Sequence, residues 1–223
     1  MVIAIDGPAA SGKSTTAKLT AEKLGYVHVD TGAMYRAMTL KVLETGIELN
    51  DKEKISKLAQ STEIRFERTS ESAMVILDKR DVTNEIRRQD VTNAVSAVSS
   101  IEKVREMMVR EQRKIGKEGG IVLEGRDIGT VVFPDADLKI FMVADIDERA
   151  RRRQRELAGH RTQIDLDTLQ QEIIQRDALD SQRNISPLRK ADDAILLDTS
   201  RLSIDEQVEF IVKKAKEILE KRR

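Results

Sequence analysis

The stretch Gly7-Pro8-Ala9-Ala10-Ser11-Gly12-Lys13-Ser14 constrains what this chain can fold into more than any other. Ahead of it, Val2-Ile3-Ala4-Ile5 is a short apolar, β-branched run that reads as a buried strand. Behind it, Thr15 to Leu24 carries Ala17, Ala21 and Leu24 at helical spacing, and Gly25 supplies a stop. Strand, glycine-rich loop and helix in that order make G-x-x-x-x-G-K-S a phosphate-binding loop, where an ordinary strand-turn-helix needs only a capping serine. Glycines let backbone N–H groups turn inward around an anion, and the helix N-terminus adds partial positive charge. Gly7, Pro8, Ala9, Ala10, Ser11, Gly12, Lys13, Ser14 and Thr15 are the expected nucleotide contacts. Within them Lys13 reaches the outer phosphates and the Ser14 hydroxyl can ligate Mg²⁺.

The rest of the chain alternates strand and helix patterns. Strands are expected at 26–29, 121–123, 138–143 and 194–198, and helices at 31–44, 51–61, 85–114 with a break near Ser99-Ser100, 147–157, 166–184 and from 204 onward. Thr31 is expected to cap its helix, and Ser203-x-x-Glu206 opens the last helix as a capping box. Ile204, Val208, Ile211, Ala215 and Leu219 mark that helix's buried stripe. Between 62 and 85 the texture changes to polar-apolar alternation with turns at Thr69–Ser72 and Asp78–Asp81, which reads as a small antiparallel insert. The whole is expected to be an α/β, three-layer P-loop fold over 1–223, with a central parallel sheet of about five strands plus that antiparallel β insert. Aromatic residues are only 3%, so the core must be aliphatic and Met, which suits helices on a parallel sheet.

Lys plus Arg and Asp plus Glu are 39 each, which argues against general nucleic-acid or anionic-membrane binding. Cysteine is absent, so disulfides and thiolate metal sites are excluded and a cytoplasmic location is expected. No apolar run approaches the ~20 residues of a membrane span. The conspicuous polar motifs fall at strand ends, where ligands bind in such folds: 7–14, 30–36, 124–127, 145–153 and 198–200. Arg36 and Arg126 should therefore face a cleft and read a second anion. Arg149, Arg152 and Arg153 share a helix face. They form either a salt-bridged solvated face with Glu148 and Glu156 or a mobile lid over about 147–165. Arg176, Asp180 and Arg183 share another face, either as surface pairing or as ligands. His28 and His160 read as structural.

These residues together resemble the bacterial cytidylate kinases. The matching pieces are Asp6-Gly7-Pro8 to Lys13, Asp30 to Arg36, Asp81-Val82 with Glu85-Ile86-Arg87, Gly125 to Pro134, and Arg176-Asp177 through Arg183. The resemblance covers the whole chain, and the segment 125–134 is its most specific part. It implies transfer of a phosphoryl group from ATP to CMP or dCMP with Mg²⁺, in a monomer acting on small molecules. It implies that Ser96, Arg105 and Asp127 read the cytosine, that Arg176 and Asp180 hold the ribose, and that Arg36, Arg126 and Arg183 clamp the CMP phosphate, with Thr31 alongside. Lys13, Arg126, Arg149 and Arg153 would act in catalysis, the last two from the lid, and Ser14 would meet the metal. Asp198-Thr199-Ser200 would line the adenine pocket. Glu124 stands where the family often has aspartate, so it remains outside this set. The competing readings are a kinase of the same fold for another monophosphate or a small metabolite such as shikimate, and a nucleotide switch. Against the switch, this sequence carries no Asn-Lys-x-Asp base-reading motif after its later strands.

Overall fold

In the computed structural model, which describes residues 1–68, 73–158 and 165–222, the first strand takes the middle of the main sheet. β1 (Val2–Asp6), β2 (Val27–Asp30), β6 (Ile121–Gly125), β7 (Leu138–Val143) and β8 (Ile195–Asp198) form a parallel sheet in the order β2-β6-β1-β7-β8. The run 121–123, expected to be central, is interior but stands beside β1. Register places Ile5 opposite Glu124 and Asp6 opposite both Gly125 and Phe141. Ile3, Ala4 and Ile5 are fully buried, so β1 reads as a continuous apolar run. α1 (Lys13–Leu24) and α8 (Ile204–Lys221) pack Ala17, Ala21, Ile211 and Ala215 against Ile3, Ile5 and Met142. α6 (Ile146–Ala158) and α7 (Leu166–Gln182) close a smaller cluster of Ala150, Leu169 and Ile173.

Two compact units divide the chain: Met1–Val29 with Gly116–Arg223, and Asp30–Ile115. The second holds α2 (Thr31–Glu44), α3 (Lys52–Gln60), α4 (Gln89–Ser99) and α5 (Glu102–Ile115). It also holds an antiparallel sheet of β3 (Ile64–Arg68), β4 (Ala73–Leu77) and β5 (Arg80–Asp81). Its own core gathers Met34, Met38, Ile55, Leu77, Val82, Ile86, Val98, Val104 and Met108, so the small sheet is packed on helices of its own unit. The β4–β5 hairpin turns through Asp78 and Lys79, both at positive φ, as a twist-compatible tight turn requires.

Several local expectations change in physical detail. Asp30, not Thr31, caps α2: its Oδ1 accepts from Ala33 N at 3.1 Å, and Thr31 is already helical. The turn expected at 78–81 contains strand residues Arg80 and Asp81. The capping box at Ser203 and Glu206 is present. The buried stripe of α8 includes Gln207 and Val212, whereas Leu219 is exposed near the helix end. Thr69–Ser72, Thr162–Ile164 and His160 lie outside the described residues. Among the described residues no helix is long and apolar enough to cross a membrane.

Candidate active site

The loop after β1 owes its shape to its glycines and to a lysine folded into it. Gly7 has φ +153°, and a Cβ there would lie 2.1 Å from the Met142 carbonyl oxygen of β7, so no side chain fits. Gly12, at φ +96°, starts α1 in a left-handed conformation that costs glycine little. Lys13 is buried; its Nζ donates to Pro8 O at 2.7 Å and to Ser11 Oγ at 3.3 Å. Burial and then the nearby Arg126 guanidinium push the Lys13 ammonium down to about 7, with Arg176 adding to the effect.

Other elements fix the loop from outside. Arg152 of α6 donates through NH1 to Ser11 O at 3.1 Å and to Thr199 Oγ1 at 3.0 Å, and through NH2 to Thr199 O at 2.7 Å. The Thr199 hydroxyl donates to Ser11 O at 3.0 Å. Thr16 Oγ1 donates to buried Gln207 at 2.7 Å, tying α1 to α8. Ala9 N donates to Asp177 Oδ1 at 3.1 Å, and the other oxygen of Asp177 accepts both terminal nitrogens of Arg149 at 2.5 Å. Thus the three arginines of one helix part company. Arg149 is buried on Asp177, Arg152 is partly buried between the loop and Glu148, 3.0 Å away, and Arg153 forms a half-exposed pair with Glu156 at 3.2 Å.

The end of β6 carries the second cluster. Arg126 Nε donates to Asp180 Oδ2 at 2.9 Å, and Arg183 NH1 lies 3.6 Å from Asp180 Oδ1. Burial raises the Asp180 carboxyl, but Arg126, Arg183 and Arg176 outweigh it and hold the group below the usual carboxylate range. Asp127 is buried, 4.0 Å from Arg183 NH2. The turn after it, Ile128–Val132, is π-helical and is pinned to β1, because Asp6 accepts from Ile128 N at 2.9 Å and Gly129 N at 2.7 Å. Burial pushes Asp6 up to about 6 against those two hydrogen bonds. Ser14 Oγ donates to Glu124 Oε2 at 2.6 Å, and His28 Nε2 lies 3.0 Å from Glu124 Oε1.

In the unit 30–115, Arg36 donates to Asp30 at 2.7 Å, so the residue that caps α2 also orients Arg36. Buried Arg105 donates to Ser99 O at 3.1 Å and stands over the Tyr35 ring, 5.1 Å from its centroid. Ser96, on the same helix as Ser99, accepts from the Ser99 hydroxyl through its carbonyl at 3.2 Å. Thr31 is buried in the first turn of α2.

A sequence model of the family described as cytidylate kinase matches residues 3–217. The chain belongs to the cytidylate kinase family. It is 53% identical over 220 residues to a cytidylate kinase of Streptococcus gordonii, covering 98% of each chain. It is 52% identical over 204 residues to one of Bacillus pumilus, covering 92% of this chain and 91% of that one. Among solved structures, an uncharacterized protein of Eubacterium ventriosum aligns over 97% of this chain and 98% of that one with a TM-score of 0.52 at 16% identity, a likeness of fold.

Family membership implies nucleotide with Mg²⁺, and the residues fit that ion. Ser14 and Glu124 present hard oxygen donors 2.6 Å apart, the type Mg²⁺ takes together with phosphate oxygens and water. Among the described residues no group of three or more His, Cys, Asp or Glu could hold a metal by itself. His28, which reads as structural in the sequence, meets Glu124 from the neighbouring strand. Asp6 and Asp177 stood inside motifs the sequence analysis quoted but received no role there, and Gln207 carried no signal.

Proposed function

We propose that the chain transfers the γ-phosphoryl group of ATP to CMP or dCMP, giving ADP and CDP or dCDP. The observation that supports this best is the gathering of cations around Lys13, close enough that Arg126 and Arg176 help push its ammonium down to about 7. A polyanion arriving there relieves that repulsion, which makes the place a binding site for phosphate.

In this reading Gly7, Pro8, Ala9, Ala10, Ser11, Gly12, Lys13, Ser14 and Thr15 hold the ATP phosphates through backbone N–H groups, the Lys13 ammonium and hydroxyls. Ser14, with Glu124, would hold Mg²⁺, which when bound supplies neutralising charge to the phosphates. In the first unit, Asp127 reads the cytosine, accepting from its exocyclic amino group, and Arg176 and Asp180 hold the ribose. Arg126 and Arg183 take the CMP phosphate in bidentate fashion. For the unit 30–115, Thr31, Arg36, Ser96 and Arg105 are proposed as CMP-binding residues. Arg149 and Arg153, from the expected lid 147–165, add charge to the transferring group. No general base is required, because the attacking phosphate oxygen of CMP is ionised near neutral pH. Catalysis is then positioning and charge stabilisation of an in-line transfer. The balanced charge speaks against nucleic acid or an anionic membrane as partner, the absence of cysteine fits a cytoplasmic location, and the family resemblance favours a monomer acting on small molecules.

Calorimetric titration of CMP, dCMP and UMP tests the acceptor assignment. CMP and dCMP are expected to bind, and Asp127→Ala is expected to erase their preference over UMP. Undiminished discrimination in Asp127→Ala would overturn the base-reading role.

A further inference from the structure

We infer that His28 is a positioning residue of the metal–phosphate site, acting through Glu124; this deepens the reading of Ser14 given above and rests on it. An ionised carboxylate only accepts hydrogen bonds, so at 3.0 Å from Glu124 Oε1 the His28 Nε2 carries the proton and donates. The other oxygen, Oε2, accepts from Ser14 Oγ at 2.6 Å. Each oxygen of Glu124 therefore has its own partner, one on β2 and one on α1, and the carboxylate plane is set between them. The Glu124 side chain is only 4% exposed and that of His28 22%, so bulk water competes poorly for either contact.

Geometry explains why the pair goes together. Glu124 sits on β6 between β1 and β2, with Ile5 as its register partner. Its length lets one carboxylate span from the start of α1 to the adjacent strand. An aspartate at the same place is shorter by one C–C bond, about 1.5 Å, and could not keep both contacts with this backbone. A second partner that fixes a ligating carboxylate typically matters about tenfold or more in metal affinity. A histidine serving only to fill space would need no donor facing the carboxylate.

The test is calorimetry of ADP binding to the full chain, with and without Mg²⁺, which needs no turnover. In His28→Phe, which keeps bulk and removes the donor, the Mg²⁺-dependent gain in ADP affinity is expected to fall about tenfold. ADP affinity without Mg²⁺ should stay at the wild-type value, which also reports an intact fold. His28→Gln, whose side-chain amide can donate to the same oxygen, should recover most of the gain. A wild-type Mg²⁺ gain in His28→Phe overturns the inference, as does an equal loss of ADP binding with and without the ion. Ser14→Ala separates the two levels of the argument. If it abolishes the Mg²⁺ gain while His28→Phe does not, only the role of His28 falls. If Ser14→Ala keeps the full gain, the reading of the loop as the metal–phosphate site falls with it.

Discussion

At the end of β1, Lys13 is held by the Pro8 carbonyl and the Ser11 hydroxyl, both neutral; at the end of β6, Arg126 and Arg183 are held by the carboxylates of Asp180 and Asp127. The two regions belong to one unit, yet they store positive charge differently. The lysine is buried, and burial with the nearby Arg126 outweighs the carboxylates of Glu124 and Asp6, so its charge is costly until an anion arrives. The arginines are already neutralised, so an incoming phosphate must compete with Asp180.

The largest effect that could break this comparison comes from Lys13→Ala. With no other side-chain ammonium in the loop, turnover is expected to fall about 10³-fold, measured as ADP formation with saturating CMP. A loss below tenfold would mean that the loop's backbone alone carries the phosphates.

Asp6 links the two regions, and its effect is next in size. Its folded-state carboxyl, raised to about 6 from 3.8, holds its proton more tightly than the unfolded chain does. The group therefore contributes stability that is complete below about pH 4 and is lost as pH rises through about 6, on the order of 3 kcal/mol. Urea midpoints from pH 4 to 7 should show this falling contribution in the wild type relative to Asp6→Asn. Parallel curves would show that the Asp6 environment is not the buried one described here.

Arg126→Lys sharpens the second half of the comparison. It keeps the charge beside Asp180 and loses the planar fork. kcat/KM for CMP should drop by about 2 kcal/mol, roughly thirtyfold, with the KM for ATP little changed. Equal losses toward both substrates would assign Arg126 to the loop instead. The smallest effect is Ser203→Ala, which removes one side of the capping box on α8 and should cost about 1 kcal/mol in chemical denaturation with no change in kcat.

Legibility in the sequence follows the same divide. The loop is contiguous, so Gly7 to Ser14 could be read together with its strand and helix. The parallel sheet was legible for a similar reason: each strand is a short apolar run followed by a polar motif. The capping box at Ser203 is local and was equally plain. At the end of β6, by contrast, the partners Arg126 and Asp180 are 54 residues apart, and sequence could say only that Asp180 lies on a face with two arginines. Glu124 and His28 are separated by 96 residues and meet only because β2 pairs beside β6. Spacing along α6 could anticipate Arg152 with Glu148 and Arg153 with Glu156, but the partners of Arg149 and Arg152 on α7, on the loop and after β8 are not encoded in helical periodicity. Gln207 is polar and lies outside the apolar stripe read for α8, yet it is fully buried, with Thr16 and the Leu202 carbonyl satisfying it.

The most direct test of the account is ADP formation from ATP and Mg²⁺ with CMP, dCMP, UMP, AMP and GMP offered one at a time. Strong turnover with CMP and dCMP, and little with AMP or GMP, is the predicted result. Turnover with a purine monophosphate and none with CMP would contradict the assignment of Ser96, Arg105 and Asp127 to cytosine and with it the proposed reaction.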